Sequence, residues 1–444
     1  MGWTALGVAA CGGSSPYDKA WLSNELGAKT GHEVREIATP DRAHPFEASL
    51  PNGIASTASL GEDDAVSVAV WNSAQLRSDL AQLGLSRADL ADAAALPNPN
   101  LSFLFPIGTR QLELSAQYPV SQLISRPWRI AAAKLDVERV ARGLVQSGLD
   151  SVRDVRISWA ELEASGRRKQ LQKRAAEIVA KSAELAQQRF VEGDVSILEA
   201  DLVKAEAAAA ADMAGRSQRE ENVARARLRM LLGLAESRLG EELQARPTEP
   251  SDEPPLELES LERTALASRP DVRAAELAVE AAGERMGLAK SVIVQIFARL
   301  DLKPVGPGGG SPILAIPGIG GELPIFSQNP GGRARATAEL TRAAFAYTAA
   351  RQQVVTDVRV AREELLMALA SRAPWATTIL PLQEKNTAAA MRAYQSGGEA
   401  YLIVLEATRR LVDASLRALE LSLDVRRARA RLDRAVGWRV HASK

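Results

Sequence analysis

Arg189-Phe190-Val191-Glu192-Gly193-Asp194-Val195-Ser196-Ile197-Leu198 interrupts two very long helical runs, and its reading decides the fold. A second copy follows at Ala393-Tyr394-Gln395-Ser396-Gly397-Gly398-Glu399-Ala400-Tyr401-Leu402, again with an aromatic three residues before a glycine and a leucine five after it. The offset is 397 − 193 = 204 residues. It also carries Ala224-Arg225-Ala226-Arg227-Leu228 onto Ala428-Arg429-Ala430-Arg431-Leu432, and Gly233 onto Gly437. One ungapped register over that span marks an internal duplication, with each glycine stretch as the reversal between two antiparallel helices.

Outward from the first tip, the pattern is helical from about Trp128 to Arg189 and from Ser196 to Leu232. At 1.5 Å per residue these runs extend about 90 Å and about 55 Å, far beyond helices of a globular domain. In the second half, helix is expected from Arg333 to near Ser396 and from Tyr401 to Val436, with a kink or break at residues 373–382, where Pro374 and Pro381 fall. Val66, Val70, Leu76, Leu80, Leu83 and Leu90 give residues 63–95 a helical period, ended by Leu96-Pro97-Asn98-Pro99-Asn100. Another helix enters at Ser268-Arg269-Pro270-Asp271, with Pro270 in the first turn, and runs to about Lys290.

Between these helices the period changes to two. Leu101, Phe103 and Phe105 alternate, Ile107-Gly108-Thr109 offers a turn, and Leu112, Leu114, Ala116 and Tyr118 alternate after it. In the second half Val294, Ile296, Ala298, Leu300 and Leu302 alternate before a turn at Gly306-Pro307-Gly308-Gly309-Gly310, and the chain returns from Ile313 to Ile325. Strands of roughly nine to eleven residues have the length a tilted strand needs to cross a bilayer. The bland alternative is a soluble hairpin with one wet face. Either way a two-stranded hairpin alone is marginal in water, so each needs partners, expected from other chains.

Composition narrows the function. Aromatics make up 4% of the 444 residues, which is thin for compact cores, and Ala, Leu, Arg and Glu favour long helices packed through small side chains. Lys+Arg and Asp+Glu balance at 55 each, against nucleic acid as a partner. Unbroken apolar runs never approach eighteen residues, so no transmembrane helix is expected. The only cysteine, Cys11, follows Leu6-Gly7-Val8-Ala9-Ala10 and resembles a lipoprotein acylation site, although the basic region and full apolar stretch of a signal are missing. An inert buried thiol is the alternative.

Each half therefore reads helix, membrane-length hairpin, long helix, tip, long helix. In this order, Ala95-Leu96-Pro97-Asn98-Pro99, Arg269-Pro270-Asp271-Val272-Arg273-Ala274-Ala275, Leu288-Ala289-Lys290 and Leu323-Pro324-Ile325-Phe326-Ser327-Gln328-Asn329-Pro330-Gly331-Gly332 resemble the TolC-like outer-membrane efflux factors over residues 62–438. The last group looks most like the CzcC-type branch, which serves heavy-metal pumps of the resistance-nodulation-division class. The resemblance implies a mainly α fold with membrane β: long helical hairpins forming a periplasmic α-barrel, and two β-hairpins per chain closing a trimeric twelve-stranded β-barrel. The implied organisation is a lipoprotein-like N-terminus and extended arm (1–61), a first repeat (62–245; β-hairpin about 100–119, tip about 190–196) and a linker (246–255). A second repeat (256–438; β-hairpin about 293–325, tip about 394–401) and a tail (439–444) complete it.

The resemblance also implies partners: a homotrimer in outer-membrane lipid, a periplasmic adaptor protein and an inner-membrane pump. Adaptor contact falls to Arg189, Phe190, Gly193, Val195, Ser196, Leu198, Tyr394, Gly397, Tyr401 and Leu402, with intramolecular packing of the aromatics and leucines as the alternative. Acids beyond each tip are candidates for the pore aperture. Glu199 follows Gly193 by six and Glu406 follows Gly397 by nine, whereas Ile403, the repeat equivalent of Glu199, is apolar. A ring of acids attracts cations. An ordinary solvated helix face is the plainer reading.

Enzymatic chemistry finds no support. His32, His44 and His441 lie outside the duplicated region, no Cys/His cluster or nucleophile–base pairing is evident, and the glycine-rich 306–311 stretch lacks the Gly-Lys-Ser/Thr ending of a phosphate loop. Neither a cofactor nor a bound metal is expected. Arg225, Arg227, Arg429 and Arg431 have acids nearby at Glu220, Glu221, Asp424 and Asp433, so they read as helix-surface charge pairs. The expected function is a passive exit duct of a tripartite pump, conducting substrate, heavy-metal cations among the candidates, to the exterior. The rival is a periplasmic coiled-coil or adaptor protein without a pore, which would show one helical hairpin and a β-rich module.

Overall fold

The structure, a computed structural model, describes residues 14–32, 47–105, 112–291, 294–304, 313–322, 324–326, 328–396 and 401–437. Cys11, His44, His441, the hairpin turns at 107–109 and 306–310, and Gly397 fall outside them. The first half contains α1 (Lys19–Thr30), α2 (Glu62–Asn72), α3 (Ala74–Ala94), β1 (Asn100–Leu104), β2 (Glu113–Tyr118), α4 (Val120–Glu192) and α5 (Ile197–Leu231). The second contains α6 (Leu258–Ser268), α7 (Pro270–Ser291), β3 (Gln295–Pro304), β4 (Ile313–Glu322), α8 (Pro330–Pro374), a π turn (Trp375–Ile379), α9 (Leu380–Gln395) and α10 (Tyr401–Val436).

The order repeats element for element: broken helix, hairpin, long helix, long helix. Two breaks were not legible in the apolar period. The 63–95 run divides at Ser73, and α6 precedes the helix that starts at Pro270. The arm expected to be extended instead contains α1, whose start is capped where Asp18 Oδ1 accepts the Trp21 N–H at 2.8 Å. Leu22 and Leu26, one turn apart, bury that helix. Helix in the second half starts three residues before the expected Arg333: Asn329-Pro330-Gly331-Gly332 begins α8. Asn329 Oδ1 accepts the Gly332 N–H at 3.2 Å, and Pro330 occupies the first helical position.

The chain divides into two compact units, each drawing on both halves of the duplication. The first comprises Met1–Leu22, Ser78–Val145 and Pro270–Gln353. It holds a four-stranded antiparallel sheet in the order β1-β2-β3-β4, so the first partner of each hairpin is the other hairpin of the same chain. The register sets Leu101 against Ala116, Phe103 against Leu114, Leu114 against Leu302, and Ala116 against Leu300. These apolar residues share one face, with Tyr118, Ala298, Ile296, Ala315 and Ile319. β1 and β2 span five and six described residues, shorter than expected, whereas β3 and β4 span ten each. Beneath the sheet in sequence, Arg126 closes α3 by donating from Nε and Nη2 to Ala94 O at 2.9 and 2.7 Å.

The second unit comprises Ser23–Arg77, Gln146–Arg269 and Val354–Lys444. Its core centres on Trp159, fully buried, whose Nε1 donates to Leu60 O at 2.8 Å. Leu228, Leu232, Leu234, Leu243, Leu261, Leu365 and Val425 are buried in the same unit. The helix ends dock at the two helix breaks. Gly233, at φ +67°, closes α5 against Asn72, and Gly437, at φ +75°, closes α10 against Arg269. Both are left-handed closures that a side chain resists, and the repeat offset that pairs these glycines in sequence pairs their roles.

The break expected around 373–382 is the π turn. Pro374 and Pro381 both remove donors and crowd preceding carbonyls, and a wider turn, with Leu380 N bonded to Trp375 O, relieves both. One helical stretch, Pro330–Ala393, meets the length and hydropathy required to cross a membrane, with 11% of its apolar window buried.

Candidate functional site

The first tip is built by two local devices. Gly193, at φ +86°, donates to Phe190 O at 3.1 Å, and Asp194 N donates to Arg189 O at 2.8 Å, which terminates α4 in a Schellman closure. Three residues on, Ser196 Oγ accepts the Glu199 N–H at 3.2 Å and starts α5. Gly193 and Ser196 thus shape the reversal, Phe190 and Val195 are half-buried, and Arg189 and Leu198 are exposed. The sequence reading missed three neighbours, Val191, Ile197 and Leu202, all more than half exposed, which together with Leu198 make the tip apolar at its surface. The signal was available: four large aliphatic residues around a polar reversal exceed what packing two helices requires.

At the second tip α9 ends at Gln395 and α10 begins at Tyr401. Ser396 N donates to Arg392 O at 3.1 Å. The side chains of Tyr394 and Tyr401 lie outside the described set, while Leu402 and Ile403 are exposed. The two tips lie on neighbouring hairpins of one unit. Arg409 of α10 reaches Glu206 of α5 at 3.7 Å, and Thr387 Oγ1 of α9 donates to Ala407 O of α10 at 3.0 Å.

The two candidate aperture acids differ. Glu199 is exposed in the first turn of α5, where the helix dipole favours a carboxylate. Glu406 is exposed and pairs with Arg410 Nε at 2.8 Å. The repeat register places Glu406 at the equivalent of Leu202 (406 − 204 = 202), so neither acid has an acidic counterpart in the other half. Ala200 and Val203 of α5, and Val404 and Thr408 of α10, are buried and fix which sides of these helices turn inward.

Behind the tips, the inter-repeat segment is strapped down by arginines from three helices. Arg167 Nη1 pairs with Glu249 at 2.8 Å, Arg372 with Glu249 at 3.4 Å and also with Asp252, and Arg429 Nη2 donates to Ser251 O and Glu253 O at 3.1 and 2.7 Å. Arg426 donates to Thr248 O and lies 5.1 Å from the Trp159 ring. The strap borders a crevice of about 620 Å³ lined by Glu163, Arg167, Glu249, Arg372 and Ala376 of the π turn. Burial pushes the Glu163 carboxyl above the usual glutamate range, against the opposing pull of Arg426 and Arg167. Burial likewise lowers Arg426 from its ordinary value, opposed by Glu163 and Glu62. Among the described residues, no group of three or more His, Cys, Asp or Glu is placed to hold a metal ion.

This geometry has relatives. The outer membrane protein VceC of Vibrio cholerae superimposes with a TM-score of 0.71 at 19% identity, covering 86% of this chain and 97% of that one. The CmeC outer membrane channel of Campylobacter jejuni superimposes with a TM-score of 0.73 at 14% identity, covering 91% and 94%. Residues 309–438 match the outer membrane efflux protein family. The fold is that of these outer membrane proteins. Its sequence relatives include the cobalt-zinc-cadmium resistance protein CzcC of Cupriavidus metallidurans, 28% identical over 386 residues, 84% of this chain and 89% of that protein. The resemblance read from the Pro-Asn-Pro, Arg-Pro-Asp and Asn-Pro-Gly-Gly words therefore has both a fold and a homologue behind it. In this chain the Arg-Pro-Asp word is the joint between α6 and α7, and Asn-Pro-Gly-Gly is the cap of α8.

Proposed function

We propose that the protein is the outer-membrane exit duct of a resistance-nodulation-division efflux system, passing substrate passively from pump and adaptor to the exterior. The observation that carries this reading is the sheet: one face apolar but for the Tyr118 hydroxyl, the other holding all of its strand charges, and both outer strands, β1 and β4, lacking a further partner among the described residues. In hydrocarbon such edges are tolerated only where a barrel closes. Three copies of four strands give twelve, which meets that condition.

The tips are the adaptor contact: Val191, Ile197, Leu198, Leu202, Leu402 and Ile403 present apolar surface at the reversals, with Arg189, Phe190, Val195, Tyr394 and Tyr401 beside them. Glu199 and Glu406 lie just behind, where rings of three would bias passage towards cations. CzcC is a cobalt-zinc-cadmium resistance protein, and divalent metal cations are the substrate class we assign by that relationship. Acylation of Cys11 would add a lipid anchor to the same assembly. Detergent extraction from outer-membrane fractions followed by planar-bilayer recording tests the duct. Stable conductance supports it; a purified oligomer that inserts yet passes no current overturns it.

A further inference from the structure

The sheet face that carries the charges also holds Leu104, Phe297, Leu314 and Ile316, and its charges are grouped on β2 and β3. Strand register places Glu113, Ser115 and Gln117 of β2 opposite Lys303, Asp301 and Arg299 of β3, all on the face away from Leu114, Ala116, Leu300 and Leu302. Ser102 of β1 pairs with Ser115 on that face. The groups hold one another in place. Arg299 Nε lies 2.7 Å from Asp301 Oδ1, Ser115 Oγ donates to the same oxygen at 2.7 Å, and Lys303 Nζ lies 3.1 Å from Glu113 Oε2. Their side chains stay accessible, at 43% for Arg299, 39% for Lys303 and 35% for Glu113, while Asp301 at 16% anchors the centre.

An Arg or Lys facing lipid at mid-membrane costs about 2–4 kcal/mol in a barrel, and an Asp or Glu less; this face bears Arg299, Asp301 and Lys303 within five residues of β3, with Glu113 of β2 beside Lys303. It must line water. The opposite face contributes no Asp, Glu, Lys or Arg among the residues paired in the register.

On the exit-duct reading, we propose that Glu113, Arg299, Asp301 and Lys303 form a charge belt inside the transmembrane lumen that sets its ionic selectivity. The belt is balanced, two cations against two carboxylates in each chain. Glu322, on the same face opposite Gln295 at the strand ends, adds one further carboxylate. Counted over the described strand residues, this face therefore carries one net negative charge per chain and favours cations slightly, which admits metal ions without holding them: each carboxylate of the belt is neutralised by a neighbour, so none acts as a trap. Selectivity follows whichever partner of a pair is removed.

The test is reversal potential across planar bilayers in a tenfold KCl gradient, kept below about 0.1 M on the dilute side so that screening does not erase the effect. Wild type should show a small cation preference. Glu113→Gln with Asp301→Asn should move the reversal potential to anion preference, and Arg299→Gln with Lys303→Gln should move it the opposite way. Ser102→Glu leaves all four groups intact and should increase cation preference, which keeps the test open if a paired variant fails to assemble. Conducting variants whose reversal potentials all match wild type overturn the belt while leaving the duct standing. Wild-type oligomer that inserts without conducting overturns the duct and the belt with it.

Discussion

Arg269 and Asp357 meet at 2.9 Å, with the arginine side chain 1% exposed, at the point where α6 gives way to α7 and α10 ends. The same guanidinium donates to Ala435 O at 3.2 Å, and Asp357 also receives Arg434 at 3.1 Å, which continues to Asp150 at 2.6 Å. Removing one member of such a pair leaves a buried charge uncompensated, at a cost of about 3–5 kcal/mol. Asp357→Ala should therefore lower the unfolding midpoint markedly. Glu364→Ala, which removes a half-exposed partner of Arg431, should shift it little. Thermal denaturation of the two variants in one detergent makes the comparison.

The left-handed glycines predict an order of tolerance. A Cβ at Gly233 would come within 2.7 Å of Asn72 O, whereas nothing lies within 4 Å of one at Gly193. Gly193→Ala should cost about 1–2 kcal/mol, the conformational term alone. Gly233→Ala should cost more, and Gly193→Asn should be nearly neutral because asparagine accepts this conformation. Equal midpoints for the two alanine variants would contradict the docking of α5 against Asn72.

Glu163 predicts a pH dependence. Because its carboxyl is raised in the folded chain, the native state holds a proton that the unfolded state has already lost. Folding stability attributable to this group is then greatest at and below the ordinary glutamate range and declines as pH rises towards the folded value. Glu163→Gln removes that decline. The stability difference between variant and wild type, measured by chemical denaturation from pH 4 to 7.5, should shift in favour of the variant as pH rises. A difference independent of pH would refute the assignment.

At the tips, stability and partner binding should separate. Ser196→Ala removes an N-cap and should cost about 1 kcal/mol. Leu198 and Leu402 are 67% and 72% exposed, so Leu198→Ser with Leu402→Ser should leave the midpoint within about 0.5 kcal/mol. The same pair should reduce co-purification with the cognate adaptor. Undiminished co-purification would assign those leucines to the surface of the duct alone.

The duplication, both hairpins and both reversals were legible because each rests on a local signal: period two, period 3.6, or a glycine between helices. The register confirms which strand residues share a face, and Leu114 facing Leu302 needed no more than that alternation. What escaped depends on distant partners. Ser73 and Arg269 break helices where another helix end arrives, and α1 is held by burial of Leu22 and Leu26 rather than by its own weak pattern. The docking of the linker is set by Arg167 and Arg372, which reach Glu249 from 82 and 123 residues away. The lumen belt was hidden for another reason: reading the apolar members of an alternation draws attention from the polar ones.

The π turn at Trp375–Ile379 has a consequence for the length of the second hairpin. A π turn stores one spare residue, so the helix on either side keeps the rotational phase of an uninterrupted helix one residue shorter. Deleting Thr377 should therefore be absorbed as ordinary α-helix with the tip still correctly aimed. Deleting one residue from the unbroken middle of α4 has no such slack, and rotates everything from the deletion to Gly193 by about 100°.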